Sequence, residues 1–187
     1  MLGMPRASAT SQMNTPLETV KNPLIVGLGN LLCGDEGLGV HAAERLTNAL
    51  DHRDDVAVID GGTLGLSLIE PIAETPTLIL IDAVNLGETP GTTRVFVGAG
   101  MDRFVVNLKT RTAHDVNLVD LTHALRLMDC LPQARALIAM QPHTLEWGTD
   151  LTPPVDAALG TLPVLCERLL TFFAQPSATP EPDWIVS

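Results

Sequence analysis

The 187-residue sequence contains no tyrosine, and only two of its residues, Lys21 and Lys109, are lysines. Eleven Lys and Arg stand against 22 Asp and Glu, which leaves a formal net charge of -11. A chain with this balance has no basic stripe that could neutralise the phosphates of a nucleic acid. We therefore expect no nucleic-acid partner.

The sequence also lacks paired cysteines and long apolar runs. Cys33, Cys130 and Cys166 lie far apart without a CxxC pair, and an odd cysteine count without a signal peptide is typical of a reducing compartment. No run approaches the roughly 18 apolar residues of a membrane span, and the N-terminal segment lacks the apolar core of a secretory signal. We expect a cytoplasmic protein that does not associate with a membrane.

Hydrophobic residues make up 45% of the chain, which suits one globular domain with a substantial core. Residues 1–20 are rich in Ser, Thr, Pro and Met, and the C-terminal end is rich in Pro and Ala. Such compositions flank a domain without joining it. The predicted division is a flexible tail at 1–20, a single domain at 21–174 and a second tail at 175–187.

Between these tails, short apolar runs alternate with segments of helical period, as in an α/β layer structure. Five strands are predicted, at 23–29, 55–60, 77–83, 92–98 and 135–141. Four helices are predicted, at 36–50, 64–74, 115–129 and 154–173. Thr152 is expected to cap the last helix. Residues 83–91 are too few for a parallel crossover, so strands three and four should run antiparallel in a mixed sheet.

The stretch GLGNLLCGDEGLG, from Gly27 to Gly39, has the glycines of a dinucleotide-binding loop but not their spacing. Leu32 occupies the third small position of the G-x-G-x-x-G fingerprint. A pyrophosphate would also meet the carboxylates of Asp35 and Glu36 at the helix terminus that attracts anions. We interpret the stretch as a tight turn that presents carboxylates at the carboxyl end of the first strand.

Acidic residues also end the next two predicted strands, Asp60 the second and Asp82 the third. The carboxyl ends of strands in an open sheet gather at one rim. Together with the acids of the glycine-rich turn, this pattern indicates a cation site. The alternative is that Asp35 and Glu36 only stabilise the positive end of the helix that follows them.

Five segments resemble, in order and spacing, the hydrogenase maturation endopeptidases, which remove the C-terminal extension from the large subunit of nickel-iron hydrogenases. The segments are GLGNLLCGDEGLGVHAAERL, IDGGTLGLSLIEPI, LILIDAVNLGETPGT, AHDVNLVDLTHAL and QPHTLEWGTDLTPPV. The likeness covers roughly residues 23–173. It implies an αβα sandwich on a five-stranded mixed sheet with one antiparallel strand, of the phosphorylase/hydrolase-like type.

The resemblance implies that Glu36, Asp82 and His114 are the metal-binding positions. Two oxygen ligands and one imidazole suit a borderline divalent metal and leave coordination positions open. The family likeness further implies that the nickel is carried by the precursor of the large subunit, which is cut only after nickel insertion. The chain has no HExxH motif of a zinc protease.

The predicted function is thus a nickel-dependent, substrate-specific endopeptidase whose partner is the large-subunit precursor and which is monomeric when free. A non-catalytic, nickel-checking chaperone of the same precursor is the alternative. Asp35 is the candidate catalytic residue, since it could accept a proton from the attacking water, although it could equally cap the helix. Substrate binding is predicted for four residues of the second of these segments, Asp60, Gly61, Gly62 and Thr63.

Three further residues near these motifs are given other roles. Cys33 is expected to be a small buried hydrophobe more than a reactive thiol. His123 is half a helical turn out of phase with His114 and is assigned to the core or to a partner surface. His143 stands where the family often has an acidic residue, and loop exposure is expected for it.

Overall fold

The computed structural model of the chain describes residues 22–108 and 116–175. Its strands are β1 (Leu24–Leu28), β2 (Ala57–Gly62), β3 (Thr77–Ala83), β4 (Thr93–Val97) and β5 (Ala134–Met140). Its helices are α1 (Leu38–Ala49), α2 (Ile69–Ala73), α3 (Gly98–Leu108), α4 (Val116–Leu127), α5 (Pro153–Leu159) and α6 (Leu162–Ala174). Two 3-10 turns, Gly34–Gly37 and Gly65–Leu68, lead into α1 and α2.

The strands form one five-stranded sheet in the order β2-β1-β3-β5-β4. All neighbouring strands are parallel except β4, which runs antiparallel to β5 at the edge. The predicted mixed sheet with one antiparallel strand is therefore confirmed. β4 also runs antiparallel to β3, as the short connection predicts, although β5 lies between them.

Helices cover both faces of the sheet, which explains why the strand sequences are apolar without alternation. On one face, α1, α5 and α6 pack against a core that includes Ile79 and Ile81. On the other face, α2, α3 and α4 pack against a core that includes Leu78 and Leu80. Successive residues of β3 thus point to opposite layers, and the predicted αβα sandwich is confirmed.

Helix α3 was not predicted, because its sequence begins Gly-Ala-Gly and glycine disfavours helix formation. Met101, Val105 and Leu108 are nevertheless buried at helical spacing, and this apolar stripe packs into the core. The predicted last helix is in fact two, α5 and α6, separated at Gly160 and Thr161.

Within the described ranges, no single helix has the length and apolar composition to span a membrane; α5 and α6, bent by 41°, meet those criteria only as a pair. The predicted N-terminal tail and all but Gln175 of the predicted C-terminal tail lie outside the described residues. The division into one domain and two tails stays a prediction.

Candidate functional site

The stretch from Gly27 to Gly39 comprises the end of β1, the 3-10 turn and the start of α1. Gly29 has a φ of +139°, and a Cβ atom there would lie 1.9 Å from the carbonyl oxygen of Glu36. Only glycine allows the chain to fold back this tightly. The turn places Asp35 and Glu36 at the carboxyl edge of the sheet, as the sequence predicts.

Asp35 is completely buried and accepts four hydrogen bonds from the segment that follows β5. Its Oδ2 accepts from the backbone N–H groups of His143 (2.8 Å) and Thr144 (3.2 Å) and from the Thr152 hydroxyl (2.8 Å). Its Oδ1 accepts from the Thr152 backbone N–H at 2.7 Å. Thr152 does occupy the N-cap position of α5, but its side chain makes no capping bond there. The hydroxyl binds Asp35 instead.

These hydrogen bonds determine the ionisation of Asp35. Burial alone would raise the pKa of its carboxyl, but the donors of Thr152, His143 and Thr144 together outweigh burial and hold the pKa below its usual value. A buried carboxylate with a lowered pKa and four donors is a poor acceptor of a proton from water. Asp35 makes no capping bond at the 3-10 turn or at α1; its carboxylate binds the segment after β5 instead. The catalytic role of Asp35 stays a prediction.

The segment of residues 141–152, which we call the β5–α5 loop, makes further backbone contacts with the glycine-rich turn. Gly34 N–H donates to the carbonyl of Gly148 at 2.7 Å, and Gly148 N–H donates to the carbonyl of Leu32 at 3.0 Å. His41 Nε2 lies 3.0 Å from the Thr149 carbonyl oxygen. The His143 side chain is exposed, as expected, and its backbone rather than its imidazole takes part in the network.

Glu36 is half-buried and lies beside Cys33. Burial and the neighbouring carboxylate of Glu36 both raise the pKa of the Cys33 thiol, and Asn30 Nδ2 contacts its sulfur at 3.3 Å. A raised pKa keeps the thiol protonated at neutral pH and unreactive as a nucleophile. This agrees with the inert role expected for Cys33, but the residue is half-buried and not buried as expected.

Asp82 is a buried residue of β3, with 8% of its surface exposed. Ile81 of β3 pairs with Gly27 of the parallel neighbour β1, so Asp82 lies at the same edge as the turn that carries Glu36. Alternation along β3 places Asp82 on the face covered by α3 and α4.

His114 lies outside the described residues, two positions before the start of α4. Among residues 22–108 and 116–175, no three His, Cys, Asp or Glu side chains form a group that could hold a metal ion. The ligand set of Glu36, Asp82 and His114 therefore stays a prediction. The described part of it supplies two carboxylates at one edge of the sheet.

Asp60 pairs with Gly27 from the other side of β1 and is exposed. Val58 lies two residues earlier in β2 and therefore on the same face as Asp60. Val58 packs on the face of α1, α5 and α6. Asp60 and Asp82 therefore share the edge of the sheet, as predicted, but leave it on opposite faces. A single cation site built from all the acids of this rim does not follow from the fold.

Local structure explains why glycine occupies the two positions after Asp60. A Cβ atom on Gly61 would lie 2.6 Å from Cγ1 of Val26, and Gly62 has a φ of +38°. Close packing of β2 on β1 therefore accounts for Gly61 without a substrate. Thr63 is exposed. The substrate-binding role of this segment stays a prediction.

Sequence reasoning gave no role to Gln141, which the structure places at the end of β5. Gln141 is buried, and its Oε1 accepts from the backbone N–H groups of Leu86 (2.7 Å) and Glu88 (3.3 Å). It thereby fixes the loop that follows Asp82. The sequence feature that indicates this role is a polar residue directly after an apolar strand, which predicts a polar contact at the carboxyl edge of the sheet.

Large apolar side chains are exposed in the loops that follow β1, β2 and β5. These residues, which we call the apolar rim, are Leu31, Leu32, Leu64, Leu66, Leu145 and Trp147. Exposed apolar surface at one edge of a protein is typical of a contact with another macromolecule.

His123 is half-buried and lines a cleft with Leu66 and Asp120, in agreement with its assignment to the core or to a partner surface.

Comparison with known proteins identifies relatives of this chain. It is 37% identical over 145 residues to the hydrogenase expression/formation protein HupD of Rhizobium leguminosarum bv. viciae, covering 77% of this chain and 70% of the relative. It is 34% identical over 139 residues to the hydrogenase 2 maturation protease of Escherichia coli, covering 73% and 82%.

The solved structures of Escherichia coli endopeptidases share this fold. The hydrogenase maturating endopeptidase HybD superposes with a TM-score of 0.69 at 29% identity, over 81% of this chain and 93% of that one. A solution structure of an endopeptidase from the same organism gives a TM-score of 0.70 at 31% identity, with the same coverage. The sequence profile of the hydrogenase maturation protease family matches residues 40–167. The chain therefore belongs to the hydrogenase maturation protease family, as the five sequence segments predict.

Proposed function

We propose that this protein is a nickel-dependent, substrate-specific endopeptidase that removes the C-terminal extension of a nickel-iron hydrogenase large-subunit precursor. The observation that carries the proposal is the match to hydrogenase maturation proteases over most of the domain. The site supports it with the carboxylates of Glu36 and Asp82 at one edge of the sheet, beside the apolar rim.

Nickel is part of the substrate in this proposal, because the precursor brings it to the endopeptidase. Glu36, Asp82 and His114 would contact that nickel with two oxygen ligands and one nitrogen ligand, a donor set suited to a borderline divalent metal. Three mixed ligands hold a free ion weakly, whereas an ion already coordinated by the precursor needs only the remaining positions filled. The metal then becomes part of the surface that is recognised.

The reaction is hydrolysis of one peptide bond. Contact with the nickel fixes the scissile bond near the carboxyl edge of the sheet and helps to polarise its carbonyl group for attack by water. Water adds to the carbonyl carbon, the C–N bond breaks, and the proton passes to the departing amine. The products are a shortened large subunit with a new carboxylate and the free C-terminal peptide.

The apolar rim supports a protein substrate rather than a small molecule. Its six exposed side chains lie in segments that follow the carboxyl ends of three strands, and they present apolar surface that a folded precursor can cover. We further propose that the protein is monomeric when free and acts in the cytoplasm. Its three cysteines are all free, as in a reducing compartment.

The test is incubation of the purified protein with nickel-loaded and with nickel-free precursor, followed by mass spectrometry of the large subunit. We expect the mass to fall by that of the C-terminal peptide only when nickel is present. Glu36→Gln, which removes a charge at nearly constant size, is the matched control and is expected to leave the precursor uncut. Binding of the precursor without any loss of mass would instead identify a nickel-checking chaperone.

A further inference from the structure

The hydrogen-bond network of Asp35 joins two segments that are distant in sequence. Its carboxylate and the Thr152 groups that it binds are 117 residues apart. Each oxygen of Asp35 is used, and the donors include three backbone N–H groups of the β5–α5 loop. A buried charge with this many partners fixes the relative position of the segments that it joins.

The β5–α5 loop carries Trp147, whose side chain is 84% exposed. Next to it, Gly148 is bonded through both its N–H and its carbonyl group to the glycine-rich turn, at Leu32 and Gly34. The indole therefore projects from a backbone that is held beside the turn carrying Glu36. An aromatic side chain on an ordered backbone loses little conformational entropy on binding, and exposed tryptophans are frequent binding hot spots.

We propose, on the basis of the function proposed above, that Asp35 is a positioning residue that holds the β5–α5 loop on the turn of Glu36. Trp147, presented by that loop, is a specificity-determining contact for the large-subunit precursor. Asp35 thus acts on the substrate through Trp147, without taking a proton from the attacking water.

The chemistry of the network explains why a carboxylate is needed at this position. Both of its oxygens face donors, and Oδ2 alone accepts from three of them. Asparagine would replace one oxygen with an NH2 group, which cannot accept, so that N–H groups of the loop would face another donor. Asp35→Asn therefore keeps the size of the side chain but disrupts the attachment of the loop.

The position of the loop can be measured without a substrate. The chain has two tryptophans, Trp147 and Trp184, so Trp184→Phe leaves Trp147 as the only indole. In that background we expect Asp35→Asn to lower the fluorescence anisotropy of Trp147 and to increase its quenching by acrylamide. Asp150→Asn, which removes the same charge from an exposed position of the same loop, is the matched control and should change neither. Unchanged anisotropy in Asp35→Asn would overturn the positioning role.

A milder variant keeps the test decisive if Asp35→Asn does not fold. Thr152→Val removes the hydroxyl donor and leaves the backbone N–H groups of the loop in place. We expect a smaller change of the Trp147 signal in the same direction. No change in Thr152→Val would count against the network as the anchor of the loop.

The role of Trp147 is tested by kinetics of precursor cleavage. Trp147→Ala and Asp35→Asn should each raise KM by about thirtyfold or more with little change in kcat, the size expected for loss of an interface hot spot. Because both act through one contact, the double variant should be no worse than the more damaging single variant. Trp147→Phe should recover most of the loss. Multiplying effects, or a fall of kcat at constant KM in Asp35→Asn, would refute the proposal, since the latter indicates a group acting only in the transition state.

Two measurements distinguish a wrong positioning role of Asp35 from a wrong assignment of the cleavage reaction. If the unmodified protein leaves nickel-loaded precursor intact, the proposed cleavage is wrong, but the Trp147 anisotropy still decides whether Asp35 positions the loop. Titration with nickel-loaded precursor then measures binding affinity without cleavage, and it decides whether Trp147 contacts the precursor. Equal affinities of the unmodified protein and Trp147→Ala would exclude Trp147 as a contact.

Discussion

Gly27 of β1 and Gly39 of α1 touch so closely that a Cβ atom on Gly27 would lie 1.8 Å from the carbonyl oxygen of Gly39. In the opposite direction, a Cβ atom on Gly39 would lie 2.0 Å from the carbonyl oxygen of Leu28. Both neighbours are backbone atoms, which cannot move aside as the end of a side chain can. This contact determines how near the turn with Glu36 lies to the sheet.

We predict that Gly39→Ala lowers the free energy of unfolding by about 3 kcal/mol or more, since the methyl group must push α1 away from β1. Urea denaturation monitored by circular dichroism measures the change. Gly148→Ala is the control, because a Cβ atom there meets nothing within 4 Å; its stability should change by less than about 0.5 kcal/mol. Equal stability of both variants would show that the contact between α1 and β1 is looser than described.

The five strands could be predicted from the sequence because each is a short apolar run, and the carboxyl edge followed from the parallel order. The faces could not be predicted in the same way. Asp60 and Asp82 end different strands, and their faces depend on the register of β2 and β3 against β1, which no local pattern encodes. Only the pairing of both strands with β1 shows that the two acids separate.

The hydrogen-bond partners of Asp35 could not be predicted from the sequence for a similar reason. Its position before an α-helix suggests capping or acid–base chemistry, but its partners His143 and Thr152 are more than a hundred residues away. The fold brings them together because β5 ends beside β3 and the following chain crosses to α5 on the face of α1. Long-range contacts of this kind follow from topology and not from local sequence.

Cys166 offers a test of the core between α6 and the sheet. It is completely buried, and burial, assisted by Glu167, raises the pKa of its thiol to about 12. In the native protein at pH 8 we expect iodoacetamide to modify half-buried Cys130 well before Cys166. Urea should remove the difference. Mass spectrometry of the labelled peptides measures this, and equally fast labelling of both thiols in the native state would contradict the packing of α6.

Asp102 of α3 links that helix to β5 and α4 through ion pairs with Arg135 and Arg126. Burial alone would raise the pKa of Asp102, but the hydrogen bonds and charges of the two arginines outweigh it and hold the pKa below its usual value. A carboxyl group whose pKa is lower in the folded state than in the unfolded state contributes stability above the unfolded pKa. That contribution is lost as the pH falls through the folded pKa.

We therefore predict that Asp102→Asn lowers the free energy of unfolding by about 1 to 3 kcal/mol at pH 7. The difference from the unmodified protein should shrink as the pH is lowered below about 4, the range in which the unfolded carboxyl group becomes protonated. Denaturation curves at several pH values measure it. Asp156→Asn, at an exposed ion pair with Arg45, should cost at most about 1 kcal/mol. A pH-independent cost for Asp102→Asn would mean that its charge contributes nothing.

His114 and His123 lie nine positions apart in the sequence. His114 is the proposed nitrogen ligand to the nickel of the precursor, and His123 of α4 lines a cleft with Leu66 and Asp120. We expect His114→Ala to slow cleavage of nickel-loaded precursor by about two orders of magnitude or more, because a ligand that fixes and polarises the scissile bond is lost. His123→Ala removes an imidazole from the same region of the chain and should leave the rate within about threefold of the unmodified protein, a difference of less than 1 kcal/mol.

Both histidine variants should be compared at matched concentrations, with folding checked by circular dichroism and cleavage measured by mass spectrometry. Their contrast separates metal recognition from general damage to the fold, because each variant removes one imidazole ring. If folded His114→Ala cuts at a near-normal rate, His114 is not a ligand and the nickel contact must rest on Glu36 and Asp82 alone. If the unmodified protein cuts nickel-free precursor equally well, the precursor is not recognised through its metal. Any loss of activity in Glu36→Gln would then mean that the carboxylate of Glu36 interacts with the peptide itself.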